Sequence, residues 1–245
     1  MRIALSSAPV KNRDVEFNLR SMEEAIREAS GQADLILFGE SVLQGFDCLC
    51  WDYEQDRKMA VTLEDEPVLR LRETAADYKI ALSFGFIQRS VEILYSSQLT
   101  VGPKGQILDL FHRVSPGWKE SDKTDGHYRE GTGFHSFSYC GKTFACGLCG
   151  DLWTEGRPEE LKALNADAIL WPVWCDYPNA DWNGPVKQEY AAQAALCGET
   201  VLFVNPYRAD PDAPDAASGG SACFQAGSIL SERPAGAPGT LFLEI

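Results

Sequence analysis

FACGLCGDLWTEGRPEELKALNADAILWP, running from Phe144 to Pro172, decides the fold of this chain. It reads as strand, turn, helix, strand. The apolar run Phe144–Leu148 breaks at Cys149-Gly150-Asp151, and a helix is predicted over Pro158–Leu164, where Pro sets the first turn. Ala168–Pro172 is then a short continuous apolar run, the pattern of a strand buried on both faces.

The same alternation extends outward in both directions. Toward the amino terminus, residues 2–9 form an apolar strand, and Asp14 is placed to cap a helix. Val15, Leu19, Met22, Ile26 and Ala29 make one stripe on that helix, and Gly31 is placed to stop it. Ala33–Phe38 is the next buried strand. Asp65 and Pro67 start a helix carrying Val68, Leu71, Ala75 and Tyr78, followed by a strand over Ile80–Phe86. Tyr95–Val101 and Gln106–Arg113 flank the turn Gly102-Pro103-Lys104-Gly105. Toward the carboxyl terminus, a helix is expected over Gln188–Cys197 and strands over Val201–Asn205, near Ser221–Gln225 and near Thr240–Ile245. Ala209–Ser218 reads as a polar surface loop. The sum is one α/β domain spanning 1–245, a layered sandwich with mixed sheets.

The formal charge of −14 argues against nucleic acid and anionic membrane as main partners. No apolar run is long enough to span a bilayer. Met1 leads straight into IALSSAPV with no basic segment before it, and the eight cysteines read as reduced thiols, so a cytoplasmic location is expected.

In layered α/β folds, polar residues just past the carboxyl ends of strands line the ligand crevice. Three places meet that description: Gly39-Glu40, the stretch from Arg113, and Cys149-Gly150-Asp151. A desolvated carboxylate at Glu40 suits general-base work. A thiol at a strand-to-helix junction is poised to become a nucleophilic thiolate, and Gly150 lets backbone and substrate approach closely. Trp174 and Asn205 also follow strands and are candidates for the pocket. Cys146-x-x-Cys149 raises a redox alternative, although Cys146 belongs inside the strand. Cys48-x-Cys50 has the wrong spacing for zinc, and no metal site is expected. His112, His127 and His135 lack a distinguishing context.

Taken together, ADLILFGES (33–41), GPKGQILDLFHRVSP (102–116), HYREGTGFHSF (127–137), the 144–172 stretch, QEYAAQAALCGETVLFVN (188–205) and GGSACFQAGSIL (219–230) stand in one characteristic order. The chain thereby resembles the nitrilase superfamily, the carbon–nitrogen hydrolase family, on its amidase-like branch. The resemblance implies a four-layer α-β-β-α sandwich, pairing into a homodimer, and hydrolysis of a small amide through a thioester without a cofactor. It assigns Glu40 as base and Cys149 as nucleophile, with the Gly150 N–H as an oxyanion donor and Asp151 beside it.

The family's lysine position holds Arg113 here, in Phe111-His112-Arg113, and arginine is not a conservative exchange for lysine. Lys119 is the second candidate for that role. The family's second glutamate precedes a Tyr-x-x-Gly element, here Tyr128 to Gly131, which leaves Glu120 first and Asp125 second. These departures keep a non-catalytic binding homologue, a nitrilase and an acyltransferase open as alternatives.

Overall fold

The computed structural model describes residues 1–210 and 217–245. It contains two six-stranded sheets stacked face to face. The first is built from β1 (Arg2–Ser7), β2 (Leu35–Phe38), β3 (Ala81–Ser90), β4 (Ile93–Val101) and β5 (Ile107–His112), with α1 (Val15–Ala29) and α2 (Glu66–Tyr78) as its crossover helices. The second holds β6 (Ser136–Tyr139), β7 (Lys142–Cys146), β8 (Ala168–Pro172), β9 (Thr200–Val204), β10 (Ser221–Gln225) and β11 (Ser228–Arg233), with helices α3 (Arg157–Ala163) and α4 (Lys187–Cys197). The last strand, β12 (Gly239–Glu244), returns to the edge of the first sheet, whose order is β12-β1-β2-β3-β4-β5; the second runs β11-β10-β9-β8-β7-β6. β1, β2 and β3 are parallel neighbours, as are β7, β8 and β9, and antiparallel strands complete both sheets.

Strand alternation makes this a sandwich. In β1 and β2, Ile3, Leu5, Leu35 and Leu37 meet Phe144, Leu170, Leu202 and Val204 of the second sheet. The intervening residues Ala4, Ile36 and Phe38 turn outward onto Leu19, Met22, Ile26, Val68 and Leu71 of α1 and α2. On the far side Ile169, Trp171, Val201 and Phe203 pack on Leu161 of α3 and Ala191 and Ala194 of α4. Central strands buried on both faces read as unbroken apolar runs, the pattern in ADLILF and AILWP. The layers are therefore α-β-β-α.

Asp14 caps α1, accepting from the Phe17 N–H at 3.0 Å. Asp65 stands at the start of α2, but its carboxylate is turned back to the Thr62 N–H instead of capping the helix. The strand predicted over Phe144–Leu148 ends at Cys146, although Gly147 still donates to the Leu170 carbonyl at 3.0 Å. β6 and β11 were not expected. Both are edge strands: β6 buries only Phe137, and β11 is half polar, so neither offers an apolar signal. A short helix also runs over Tyr53–Met59. Of the polar loop expected over Ala209–Ser218, residues 211–216 lie outside the described residues. Among the described residues no helix is long and apolar enough to cross a membrane.

Candidate active site

Five strand ends meet at one edge of the sandwich. Glu40 follows β2, Arg113 follows β5, Cys149 follows β7, Trp174 and Cys175 follow β8, and Asn205 follows β9. The two sheets are joined there by the Glu40 N–H, which donates to the Val173 carbonyl at 3.2 Å. Room for the turn at Glu40 comes from Gly85 in the neighbouring strand: a Cβ there would lie 2.7 Å from Glu40 Cα and 2.4 Å from the Ser41 nitrogen.

Glu40 is wholly buried. One carboxylate oxygen, Oε1, accepts from Arg113 Nη1 at 2.8 Å and from Ser96 Oγ at 3.0 Å. The other, Oε2, is buried with no partner among the described residues. A buried acceptor without a donor is costly, so this oxygen is available to accept a hydrogen bond or a proton. Arg113 is 3% exposed. Its Nε donates to Ser115 Oγ at 2.9 Å, and its Nη1 to Glu40. Burial alone would lower its basicity, but the charges of Glu40, Cys149 and Asp151 outweigh that and keep it firmly protonated.

The third arm, Nη2, points at two glycines. A Cβ on Gly150 would come within 2.8 Å of it, and one on Gly117 within 2.9 Å. Because Nε and Nη1 are both tied down, the guanidinium cannot swing aside. Gly150→Ala is therefore expected to break one of those two bonds and lower turnover by about 10-fold or more, each 1.4 kcal/mol of lost positioning being a factor of ten. Steady-state kinetics beside an unchanged far-ultraviolet circular dichroism spectrum would check this.

Cys149 opens a single tight turn, Cys149–Trp153, with φ of 44°. A non-glycine residue in the left-handed region costs on the order of 1–2 kcal/mol and persists only when its surroundings impose it. Two contacts impose it here. The Trp171 indole N–H donates to the Cys149 carbonyl at 3.0 Å. Asp151, buried beneath, accepts from Leu148 N–H at 2.9 Å on Oδ2, and from Val114 N–H (3.1 Å) and Ser115 N–H (2.7 Å) on Oδ1. Asp151 thus ties the Cys149 turn to the segment that carries Arg113. Its carboxyl is filled by backbone donors and is not presented to a ligand, which corrects the expectation of a substrate contact there. Gly150 N–H, in the first turn, has no intrahelical acceptor.

The Cys149 sulfur lies 3.7 Å from the Trp174 carbonyl oxygen, and the Trp174 ring stacks on Phe46 at 5.8 Å. Asn205 is scaffold: its side chain accepts from Cys175 N–H and donates to Cys175 O, both at 2.9 Å. The Cys149 thiol is shifted below the usual thiol range. The neighbouring Cys175 thiol is the main cause, burial and Glu40 oppose the shift, and Arg113 assists it. Alkylation of Cys149 by iodoacetamide is accordingly expected to reach half its maximal rate below the pH of an ordinary thiol. Cys175→Ala should move that midpoint upward; a midpoint unmoved by the substitution would count against the thiol–thiol contact.

Lys119 is turned away from Glu40, donating to the Tyr128 carbonyl at 2.7 Å and pairing with Glu130 at 2.8 Å. Glu120 accepts from the Trp51 indole at 3.1 Å and pairs with Lys123, and Asp125 is exposed beside His127. Lys119 and Glu120 do, however, line a cavity of about 360 Å³ with Phe46, Trp51, Gly117 and Trp118. Gly117 adjoins Arg113 Nη2 and Phe46 adjoins Trp174, so this cavity borders the segments that carry the site. The histidines pair elsewhere: His112 with Gln88, His127 with Asp125 and His135 with Asp109. Cys146 is fully buried in the core between the sheets. Sequence reasoning missed Ser96, Ser115, Cys175 and Tyr190. The only signal for Ser96 was an excess of polar residues, YSSQLT, in a strand otherwise read as buried.

The pattern of the carbon–nitrogen hydrolase family matches residues 2–169. The chain belongs to that family, the nitrilase superfamily. It is 26% identical over 235 residues to an (R)-stereoselective amidase from a Pseudomonas species, covering 95% of this chain and 80% of that protein. It is 29% identical over 180 residues to a cyanide hydratase of Gibberella zeae, covering 66% of this chain and 48% of that protein. The chain thus spans about half the length of the cyanide hydratases it matches. Among solved structures, an amidase from a Nesterenkonia species superposes with a TM-score of 0.75 at 22% identity over 100% of this chain and 90% of that one. A glutamine-dependent NAD+ synthetase from Acinetobacter baumannii gives the same TM-score over 98% of this chain and 44% of that one. The α-β-β-α sandwich is shared with both.

Proposed function

We propose that this chain is a cysteine-dependent amidase that hydrolyses the C–N bond of a small carboxamide, ω-amide or carbamoyl compound in the cytoplasm. The observation that carries the reading is the pairing of a partly exposed Cys149 on an imposed left-handed turn with a buried Glu40 whose Oε2 has no partner among the described residues. Likeness to the (R)-stereoselective amidase over 95% of the chain favours an amide over a nitrile as substrate.

The geometry supports a two-stage reaction. A substrate enters by the cavity beside Gly117 and sets its carbonyl carbon on the Cys149 sulfur. Glu40 Oε2 takes the thiol proton, and sulfur attacks. The carbonyl oxygen becomes an oxyanion, held by Arg113 Nη2 and the Gly150 N–H, donors fixed before the charge develops. Glu40 returns the proton to the leaving nitrogen, and ammonia or an amine departs. Water, deprotonated by Glu40, then releases the acid from the thioester. Glu40 cycles between its forms while Arg113 stays charged, so the buried pair is neutral overall at rest.

The direct test is to mix the protein with a panel of simple amides, quench early and weigh it intact. An acyl adduct confined to Cys149, together with released ammonia, is the expected result. An adduct with nitriles and none with amides would move the reaction to nitriles. Acyl transfer to hydroxylamine in preference to water would make it a transferase. No adduct with any of them would leave a binding protein on the same scaffold.

A further inference from the structure

The buried face of the nucleophile is occupied by a second thiol. Cys175 directly follows Trp174, whose carbonyl oxygen is 3.7 Å from Cys149 Sγ, and Cys149 packs against the buried cluster to which Cys175 belongs, with each thiol influencing the other's acidity. The hydrolytic steps proposed above do not use it.

We propose that Cys175 is a resolving thiol for Cys149, so that a hydroperoxide converts the pair to an intramolecular disulfide that reversibly masks the nucleophile. The arrangement sorts the two sulfurs into different roles. Cys149 is partly exposed, and Cys175 is buried, 6% exposed. A small oxidant therefore meets Cys149 first. The Cys175 backbone is fixed beside the site: its N–H and carbonyl are both clamped by Asn205, and its sulfur lies 3.1 Å from the Tyr190 hydroxyl. Arg113 beside Cys149 favours the thiolate, the form that peroxides attack. Cys146, the other cysteine close in sequence, is held in the core between the sheets, on the far side of the strand from Cys175.

The chemistry balances without a further reagent. The Cys149 thiolate attacks the distal oxygen of R–O–O–H, the O–O bond breaks, and the alkoxide leaves as the alcohol after taking a proton. This forms the sulfenic acid, Cys149–S–OH. Cys175 sulfur then attacks Cys149 sulfur, the S–O bond breaks, and hydroxide leaves with the Cys175 proton as water. The two sulfurs have lost two electrons and the peroxide has gained them. Closing the bond brings the sulfurs to about 2.05 Å, through movement of the two side chains. Without Cys175, the sulfenic acid has no thiol in contact and proceeds to the sulfinic acid, which thiols do not reduce.

The experiment reads mass, not turnover, so it stands whether or not the amidase reading holds. The full chain is treated with a slight excess of hydrogen peroxide, alkylated and digested with trypsin. The expected product is a loss of about two mass units, with residues 143–162 joined to residues 163–187 and fragmentation placing the bond between Cys149 and Cys175. Dithiothreitol should restore both thiols. In Cys175→Ser, Cys149 should instead gain two oxygens that dithiothreitol does not remove. Three results would overturn the proposal: a bond from Cys149 to Cys146, oxygen added to Cys149 in the wild-type chain with Cys175 still alkylatable, or both thiols alkylatable after peroxide. The wild-type peptide map decides the matter even if Cys175→Ser fails to fold.

Discussion

Cys149→Ala is expected to abolish amide hydrolysis, with turnover falling by about 10⁶-fold, the order found when a covalent nucleophile is removed from a preorganised site. What remains would come from Arg113 and the Gly150 N–H acting on a substrate without a nucleophile. The chain should stay folded. Cys149 is partly exposed, and losing one sulfur there creates little cavity. Glu40→Gln should fall less far, by about 10²- to 10⁴-fold, because the amide can still accept from Arg113 and Ser96 but has no free lone pair on a basic oxygen. The two variants separate in one measurement. Glu40→Gln retains the sulfur and should accumulate acyl adduct slowly when given an activated ester, which needs little base assistance. Cys149→Ala should form none. Equal and complete loss of adduct in both would remove Glu40 from the base role and make it a structural partner of Arg113.

Arg113→Ala carries the largest expected effect on stability. It removes the cation from a carboxylate that is wholly buried and leaves Ser96 as its sole donor among the described residues. Breaking a buried ion pair from one side costs about 3–5 kcal/mol, because the remaining charge is left without compensation. For a chain of this size that is a fall in melting temperature on the order of 10 °C. The double variant Arg113→Ala/Glu40→Gln should regain part of the loss, since it removes the stranded charge as well. A double variant less stable than Arg113→Ala would show that the pair does not behave as one unit.

Arg113→Lys is the informative intermediate. Lysine keeps the charge and can reach Glu40, but one ammonium cannot hold Glu40, Ser115 and an oxyanion in the fixed fork seen here. It should be milder than Arg113→Ala in stability, with its deficit expressed in kcat. Gly117 and Gly150, which clear the space for Nη2, would then be wider than the side chain requires.

The layers and the chemistry were legible in the sequence to different depths. ADLILF and AILWP declared themselves as buried strands because burial on both faces leaves no polar positions, and α1 announced its face through a stripe ending at Ala29. Cys149 and Glu40 were visible because each ends such a strand. The edge strands β6 and β11 were silent, since pairing at a sheet edge needs little apolar content. Asp56 was also silent: in sequence it is one more acid in a polar segment, yet it is buried and gathers the N–H groups of Cys50 and Trp51 and the hydroxyl of Tyr128.

The sequence by itself determined the alternation of strand and helix, the charged and thiol residues at strand ends, and the order of segments that marks the family. Those are properties of local periodicity and residue type, which the chain carries wherever it goes. Only the tertiary structure decided which cation faces Glu40, that Asp151 fastens two loops together instead of meeting a substrate, and that Cys175 stands behind Cys149. Each of those depends on how two sheets are stacked and on which strand tips that stacking brings within a hydrogen bond of one another. Such distances between segments far apart in sequence have no local signature.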